Sequence, residues 1–174
     1  TNGVLYRQLI DAMSMRNWKL SGQSGHDHFF DAFSKFGAVS ATQIGAMLAE
    51  AASRAAMGRL SYLELMVTTD GGTASRIGNQ VGWDGNYEST LAKLKAAGIS
   101  DTLVQSKNNV LKAEQEKDKI LQCGTSQADS GCAVVIRYIY QVSRGAALGP
   151  VYAQMVAGFM LASEVDSKVV GFNL

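Results

Sequence analysis

Three apolar segments separated by helical segments constrain the fold of this chain more than any other feature. Apolar residues dominate residues 60–67, 133–142 and 168–174, and we predict a strand in each. The first run, Leu-Ser-Tyr-Leu-Glu-Leu-Met-Val, is apolar enough for a strand that is buried on both faces. Alternation of strands with helices is typical of βαβ units, so the sequence predicts an α/β fold with a parallel sheet.

Helical spacing of apolar residues predicts the connecting elements. The predicted helices cover residues 4–13, 26–36, 42–57, 87–97 and 101–122, and a last one begins near Pro150. Gly58 is predicted to end the third helix in the left-handed conformation, and residues 68–85 are predicted to be irregular. On the last helix one side is apolar, with Tyr152, Met155, Val156, Phe159 and Met160.

Composition argues against two classes of partner. The chain has 174 residues, 47% of them apolar, which is enough for a core and fits one domain or part of a larger one. The net charge is +1 and the basic residues are scattered, so no nucleic-acid footprint is visible. No apolar run approaches the length of a membrane span, and no signal peptide is recognisable at the start. We expect neither nucleic acid nor a membrane as partner.

The two cysteines enclose a short loop of small and polar residues. Cys123 and Cys132 are spaced so that the loop ends are able to meet, but the same spacing fits two independent thiols. We predict the disulfide, which implies an oxidising compartment.

The only two histidines lie in the segment His26-Asp27-His28. A His-x-His pair is a common zinc half-site, but a predicted helix follows this one and no third histidine exists in the chain. A loop or helix-cap role is therefore favoured, with Asp27 as a candidate cap, and we assign no metal ligand.

Four phenylalanines follow at helical spacing. Phe29, Phe33 and Phe36 share one helix face, and Phe30 widens the stripe. Such a stripe is either part of the core or the wall of an apolar pocket, and the residues alone leave both interpretations open.

Several motifs follow one another in a fixed order. They are Ser-Met-Arg-Asn-Trp at 14–18, His-Asp-His-Phe-Phe-Asp-Ala-Phe at 26–33, an Ala-rich helix, Tyr-Leu-Glu-Leu-Met at 62–66, Arg-Tyr-Ile-Tyr-Gln-Val at 137–142 and Val-Val-Gly-Phe-Asn-Leu at 169–174. In order and spacing they resemble the adenosine deaminase family, most closely its bacterial, exported members related to the adenosine deaminase growth factors. The resemblance covers most of the chain, although each motif alone is modest.

The resemblance implies a fold. The family is a (β/α)8 TIM barrel, and the three predicted strands resemble its second, third and fourth. Residues 1–174 would then be a single partial domain without the first strand and the C-terminal half. Its free edges imply that the rest of the same barrel, or a second copy of the chain, is a partner. The side chains expected to face the missing strands are Leu63, Leu65, Val135, Ile139, Val170 and Phe172.

The resemblance also implies a function. The complete family enzyme is a zinc-dependent hydrolase that deaminates adenosine to inosine and ammonia, with zinc lowering the pKa of a bound water. Its zinc ligands and catalytic residues match no position of this chain, so we predict that this chain alone is inactive and holds no zinc. The matching substrate-binding residues are His26, Phe29, Phe30, Phe33 and Met66, and Met66 stands where relatives often have Arg. Arg137 matches a basic residue that is frequent in the third strand.

A different class of function stays open beside the enzyme. The Phe stripe would equally serve a non-catalytic α/β module that binds a ligand or a protein. For either function, the predicted disulfide and the exported relatives imply a periplasmic or secreted location.

Overall fold

The computed structural model describes residues 2–40, 42–165 and 167–174, without the side chains of residues 38 and 39. The described chain has an α/β architecture with seven α-helices and three strands. In chain order they are α1 Asn2–Ala12, α2 Gly25–Ser40, α3 Ile44–Met57, β1 Tyr62–Val67, α4 Thr73–Val81, α5 Tyr87–Ala96, α6 Asp101–Ile120, β2 Val135–Gln141, α7 Leu148–Ser163 and β3 Val169–Asn173. Short 3-10 helices occupy Trp18–Ser21 and Ser130–Ala133.

Contacts divide the chain into two compact units, residues 1–47 and residues 48–174, with the boundary inside α3. The first unit holds α1 and α2, and the second holds the sheet. The prediction that residues 1–174 belong to one partial domain stays a prediction.

The sheet confirms the three predicted strands. All pairs are parallel and the spatial order is β1-β2-β3, so β2 is central. Glu64 lies opposite Arg137, and Ile139 lies opposite Gly171 after a register shift between Tyr138 and Ile139. Among the described residues, β1 and β3 each have one edge without a neighbouring strand.

The two faces of the sheet have different environments. On β2, Ile136, Tyr138 and Tyr140 are buried, while the alternate side chains are exposed or half-buried. The buried face packs on α6 and α7: the Tyr138 hydroxyl donates to Glu114 Oε1 at 3.2 Å, and a Cβ on Gly158 would lie 3.3 Å from the Tyr140 ring. The expectation that β1 is buried on both faces is wrong, because exposed and half-buried residues alternate along it.

The prediction of which side chains face the missing strands is also wrong for part of the set. The register places Leu63 and Leu65 opposite Ile136 and Tyr138, on the helix-covered face, and Phe172 packs against Gly158 of α7. A strand alternates with period two, so consecutive apolar residues divide between both faces. Of the predicted set, Val135 and Ile139 lie on the other face, and Val170 is the exposed extra residue of β3 at the register shift. We call this face, with Tyr62, Glu64, Met66, Val135, Arg137 and Ile139, the open face.

Helix α4 forms in a segment that was expected to be irregular. The Asp70 carboxylate accepts hydrogen bonds from the N–H groups of Gly72 (3.1 Å) and Ala74 (2.7 Å), which satisfies donors at the start of the helix. Ala74, Ile77 and Gly78 are buried. A Cβ on Gly78 would lie 2.6 Å from the carbonyl oxygen of Gly149, so α4 and α7 approach at backbone distance.

Small residues, rather than the apolar side expected from the sequence, form the buried face of α7. Ala153, Ala157, Gly158 and Leu161 are buried, whereas Phe159 is exposed. Small side chains let a helix approach a sheet closely, and this close packing decides which side of an apolar helix turns inward.

The end of α3 differs from expectation by one residue. Arg59, not Gly58, has the positive φ of 61°. The N–H of Leu60 bonds to the Ala55 carbonyl at 2.8 Å and that of Arg59 bonds to Ala56 at 2.9 Å, the pattern of a Schellman motif with Arg59 in the left-handed position.

The predicted disulfide between Cys123 and Cys132 is present, with Cα atoms 5.6 Å apart. It closes the loop that leads from α6 into β2. In the same loop the Asp129 carboxylate accepts from Gly131 N–H at 2.6 Å and from the Ser53 hydroxyl at 3.2 Å. Within the part of the chain that the structure describes, no helix has the length and apolarity needed to cross a membrane.

Candidate functional site

The loop after β1 is built from buried polar groups at the carboxyl end of the sheet, where parallel α/β sheets place their ligands. Thr69 and Asp70 are both buried. The Ser106 hydroxyl donates to Thr69 Oγ1 at 2.6 Å, and Asn109 Nδ2 donates to the Thr69 carbonyl at 2.9 Å. Because the N–H groups of Gly72 and Ala74 donate to the Asp70 carboxylate, the start of α4 is already bonded to an acidic side chain.

The loop after β2 is held in a comparable way. Gln154 of α7 is buried, its Oε1 accepts from Ser143 N–H at 3.0 Å, and its Nε2 donates to the Pro150 carbonyl at 2.9 Å. Arg144 follows Ser143 and is exposed. The loops after β1 and β2 are therefore both fixed by side chains from helices.

Tyr140 lies near the same end of the sheet. Its side chain is fully buried, and burial first, then the neighbouring Asp70 carboxylate, raises the pKa of its hydroxyl far above the ordinary value. By distance and angle, its hydroxyl has no hydrogen-bond partner among the described residues, although Asp70 is close enough to act on its pKa. A tyrosine held neutral in this way adds a buried dipole beside the loop after β1.

The open face carries the predicted site residue Met66. Met66 lies opposite Ile139, and 52% of its surface is exposed. One layer closer to the amino end, Glu64 lies opposite Arg137 and accepts a 2.8 Å hydrogen bond from the Tyr62 hydroxyl. That hydrogen bond is the main cause that raises the pKa of Tyr62. The open face is thus a mixed surface with an acidic and a basic group side by side.

The other predicted site residues meet on α2, in the first unit. The ring centres of His26 and Phe30 are 4.8 Å apart, and those of Phe29 and Phe33 are 5.1 Å apart. The exposed fractions of Phe29, Phe30 and Phe33 are 44%, 58% and 49%, so these three are not core residues of the described chain. We call His26, Phe29, Phe30 and Phe33 the aromatic cluster.

The histidine pair does not fit a zinc half-site. His28 is buried, and its Nε2 lies 2.9 Å from the Ser14 carbonyl oxygen and 3.2 Å from that of Asp11. Because carbonyl oxygens only accept, Nε2 carries the proton and is not free to bind a metal. His26 lies two positions earlier on the helix, about 200° around its axis, and its side chain is exposed.

Ser24, rather than Asp27, caps α2. The Ser24 hydroxyl accepts from Asp27 N–H at 3.1 Å and donates to Asp27 Oδ2 at 2.8 Å, an arrangement like a capping box. This hydrogen bond from Ser24 is the main cause that lowers the pKa of Asp27. Among the described residues, no three or more His, Cys, Asp or Glu side chains are grouped so that they could hold a metal ion.

The structure therefore groups four predicted site residues on α2, while Met66 lies in the other unit on the open face. The sequence did not indicate the buried polar residues Thr69, Asp70 and Gln154, or the half-buried Asn109. A signal for the first two was available, because Thr-Thr-Asp-Gly-Gly directly follows an apolar strand. Asn109 and Gln154 carried none, since each is one polar residue within a helix.

A shallow cavity of about 460 Å³ lies against the disulfide loop, at the opposite end of β2 from these loops. Polar side chains such as Asp118, Gln122 and Gln127 line it together with Cys123, and it contains none of the predicted substrate-binding residues. The carboxyl end of the sheet, where buried polar groups converge, is the stronger candidate for a functional site.

The chain matches no family model, no curated protein sequence and no solved structure.

Proposed function

We propose that this chain is the front portion of a zinc-dependent, adenosine deaminase-like hydrolase with a (β/α)8 barrel. The complete protein would convert adenosine, or a related purine nucleoside, to inosine and ammonia. The motifs at 14–18, 26–33, 62–66, 137–142 and 169–174 support this proposal by their order along the chain.

The observation that carries the proposal is the arrangement of the sheet. The strands follow one another in space in chain order, and α6 and α7 of the second unit pack on one face. A (β/α)8 barrel has sequential strands, helices outside and side chains inside. A complete doubly wound sheet reverses its strand order and has helices on both faces, but one half of it has the same sequential order as this sheet, so the order of the motifs favours the barrel. The free edges of β1 and β3 are where neighbouring barrel strands would pair.

Within this proposal, the open face is the barrel interior and the loops after β1 and β2 belong to the substrate-binding end. The resemblance assigns substrate contacts to the aromatic cluster and to Met66. His26 and His28 do not fit zinc, so the metal would be held by other parts of the complete protein, and we assign no catalytic step to this chain. The disulfide supports a periplasmic or secreted location.

The direct test uses the complete reading frame that contains this chain. The purified protein is incubated with adenosine, and inosine and ammonia are measured together. We expect both products in equal amounts. Phe30→Ala and Phe33→Ala should each raise KM, since lost shape in an apolar pocket costs about 1–3 kcal/mol of discrimination. Phe36→Ala is the control on the same helix and should change KM less. A folded complete protein that deaminates no purine nucleoside would remove the proposal.

The exposed aromatic cluster favours a second candidate, a non-catalytic module that binds a ligand or protein through it. Large exposed apolar groups that lie together mark binding surfaces more often than single ones do. The same protein should then retain purine nucleosides in equilibrium dialysis without converting them. Product formation decides for the enzyme, and retention without product decides for the module.

The free strand edges lead to a proposal about partners. Unpaired N–H and C=O groups on β1 and β3 would pair with the rest of the same barrel or, in its absence, with a second copy. Light scattering of the isolated 174-residue chain at low concentration tests this, and a stable monomer with a cooperative melt would count against the partial barrel.

A further inference from the structure

We propose that Gln154 is a positioning residue that holds the loop after β2 in its substrate-binding geometry. The proposal rests on the proposed function, because it takes the carboxyl end of the sheet as the place where substrate binds. It concerns the second unit alone, and no residue of α1 or α2 takes part in it.

The hydrogen bonds between β2 and the β3 segment end just before Ser143. The N–H of Val142 donates to the Asn173 carbonyl at 2.9 Å, the last bond between β2 and the β3 segment. The next N–H belongs to Ser143, and it donates to Gln154 Oε1 at 3.0 Å. A side chain of α7 therefore takes the acceptor role beyond the last strand pair.

The side chain of Gln154 is buried. Only 3% of its surface is exposed, and the adjacent Ala153 and nearby Ala157 are fully buried. A buried amide destabilises the fold unless its groups are bonded, and an apolar side chain of similar size would carry no such cost. Both ends of the Gln154 amide are bonded, since Nε2 donates to the Pro150 carbonyl at 2.9 Å. The amide thus fixes Ser143 relative to the start of α7.

The loop after β2 presents the exposed side chain of Arg144. Arg144 directly follows Ser143, and its N–H bonds to the Val142 carbonyl at 3.1 Å. The N–H of Ala146 bonds to the Ser143 carbonyl at 3.1 Å, so Ser143 is bonded on both sides of the turn. The hydrogen bond from Ser143 to Gln154 therefore anchors the residue that directly precedes the exposed Arg144. The loop after β1 is fixed similarly by Asn109 on the Thr69 carbonyl.

A fixed loop lowers the ordering cost of substrate binding. When the hydrogen bond to Ser143 is lost, the loop has to be ordered again in each binding event. KM should rise in inverse proportion to the fraction of molecules in which the loop is closed, while kcat stays unchanged. A residue that only stabilised the fold would lower the melting temperature and the active fraction, and so lower apparent kcat at constant KM.

The experiment compares Gln154→Met with Gln154→Glu in the complete protein. Methionine keeps the volume but has no amide. Glutamic acid in its protonated form accepts from Ser143 N–H and donates to the Pro150 carbonyl as glutamine does, whereas the carboxylate is unable to donate. Hydrogen exchange of the Ser143 amide and adenosine kinetics are measured across a pH series, and a thermal melt of each variant records folding.

We expect the protection factor of the Ser143 amide to fall by about 2- to 12-fold in Gln154→Met, the range that corresponds to one ordinary hydrogen bond. KM should rise by the smaller factor by which the closed fraction of the loop falls. Gln154→Glu keeps an oxygen that accepts from Ser143 N–H in both protonation states, so its Ser143 protection factor and its KM should lie closer to wild type than those of Gln154→Met. Unchanged protection of Ser143 in Gln154→Met, or a loss of protection in Gln154→Glu at low pH as large as in Gln154→Met, overturns the inference.

The measurements distinguish failure of the proposed function from failure of the positioning role of Gln154. Absence of deamination by the wild-type protein rejects the proposed function, while the exchange data still decide whether Gln154 holds the loop. Active wild type with unchanged KM in Gln154→Met rejects the positioning role and leaves the proposed function in place.

Discussion

The two ends of the sheet are held by different kinds of bond. At the amino end, the loop into β2 is closed by the Cys123–Cys132 disulfide. At the carboxyl end, the loops after β1 and β2 are held by hydrogen bonds with the buried Asp70 and Gln154 and the half-buried Asn109. A covalent link supports stability without regard to what lies nearby, whereas buried polar groups also place dipoles and donors where a ligand would be bound.

The backbone shows the same difference. Near the amino ends of β1 and β2, the left-handed positions include two non-glycine residues, Arg59 and Gln122, with φ of 61° and 55°, beside Gly124 with φ of 81°. At the carboxyl end of β1 they belong to Gly71 and Gly72, with φ of 62° and 84°. Non-glycine residues adopt this conformation at a cost, so the amino end tolerates local strain that the loop after β1 avoids. In (β/α)8 proteins the amino end serves stability and the carboxyl end serves function, and the proposed barrel would have the same division.

Removal of the disulfide should have the largest effect. The double variant Cys123→Ser/Cys132→Ser should lose about 2–3 kcal/mol of unfolding free energy, because the link restricts a short loop in the unfolded chain. Urea denaturation measures the change, and wild type treated with a reductant is the matched control that should unfold at the same midpoint. Equal midpoints for oxidised and reduced protein would mean that noncovalent contacts alone hold the amino end.

Asp70→Ala tests the carboxyl end and should have the next largest effect. It leaves the N–H groups of Gly72 and Ala74 without their acceptor in a buried place, which should cost about 2 kcal/mol. Asp70→Asn keeps one oxygen as acceptor and should cost less. Chemical denaturation of both variants provides the measurement. If the alanine variant is as stable as the asparagine variant, these hydrogen bonds do not maintain the start of α4.

The two buried tyrosines of β2 sharpen the comparison within one strand. Tyr138→Phe loses the hydrogen bond to Glu114 and should cost about 1 kcal/mol. Tyr140→Phe removes a hydroxyl that has no partner among the described residues and should stay within about 0.5 kcal/mol of wild type, or gain stability. Thermal melts of the two variants side by side test this pair. A larger loss for Tyr140→Phe would show that its hydroxyl is bonded in solution, by a buried water or by Asp70.

The sequence was sufficient for elements whose signal is local, and less so where tertiary contacts decide. Periodicity located the strands and most helices, because alternation and helical spacing are properties of short segments. It missed α4, whose first turn depends on Asp70 reaching forward to Ala74. It favoured Gly58 as the left-handed residue, because glycine is the common choice at this position. In the structure Arg59 has that conformation, and the two Schellman hydrogen bonds offset its strain.

The candidate site shows the same limit. The resemblance grouped His26, Phe29, Phe30 and Phe33, and the structure places them on one helix face with rings in contact. Neither Asn109 nor Gln154 was predictable, because a single polar residue on a helix is usually exposed. Only the three-dimensional packing shows that each amide is turned toward a backbone group of a loop distant in sequence.

The smallest expected effect concerns the strained backbone at the amino end. Arg59→Gly should stabilise the protein by about 0.5 kcal/mol, because relief of the left-handed conformation, about 1–2 kcal/mol, exceeds the entropy that glycine adds to the unfolded chain. The matched reverse variant is Gly72→Ala at the carboxyl end. A Cβ there meets no atom within 4 Å, so its cost, about 1 kcal/mol, comes from the backbone alone. Urea denaturation should therefore give opposite signs for the two variants. The same sign for both would mean that the two ends do not differ in backbone strain, and that the disulfide and the buried polar groups are the whole difference between them.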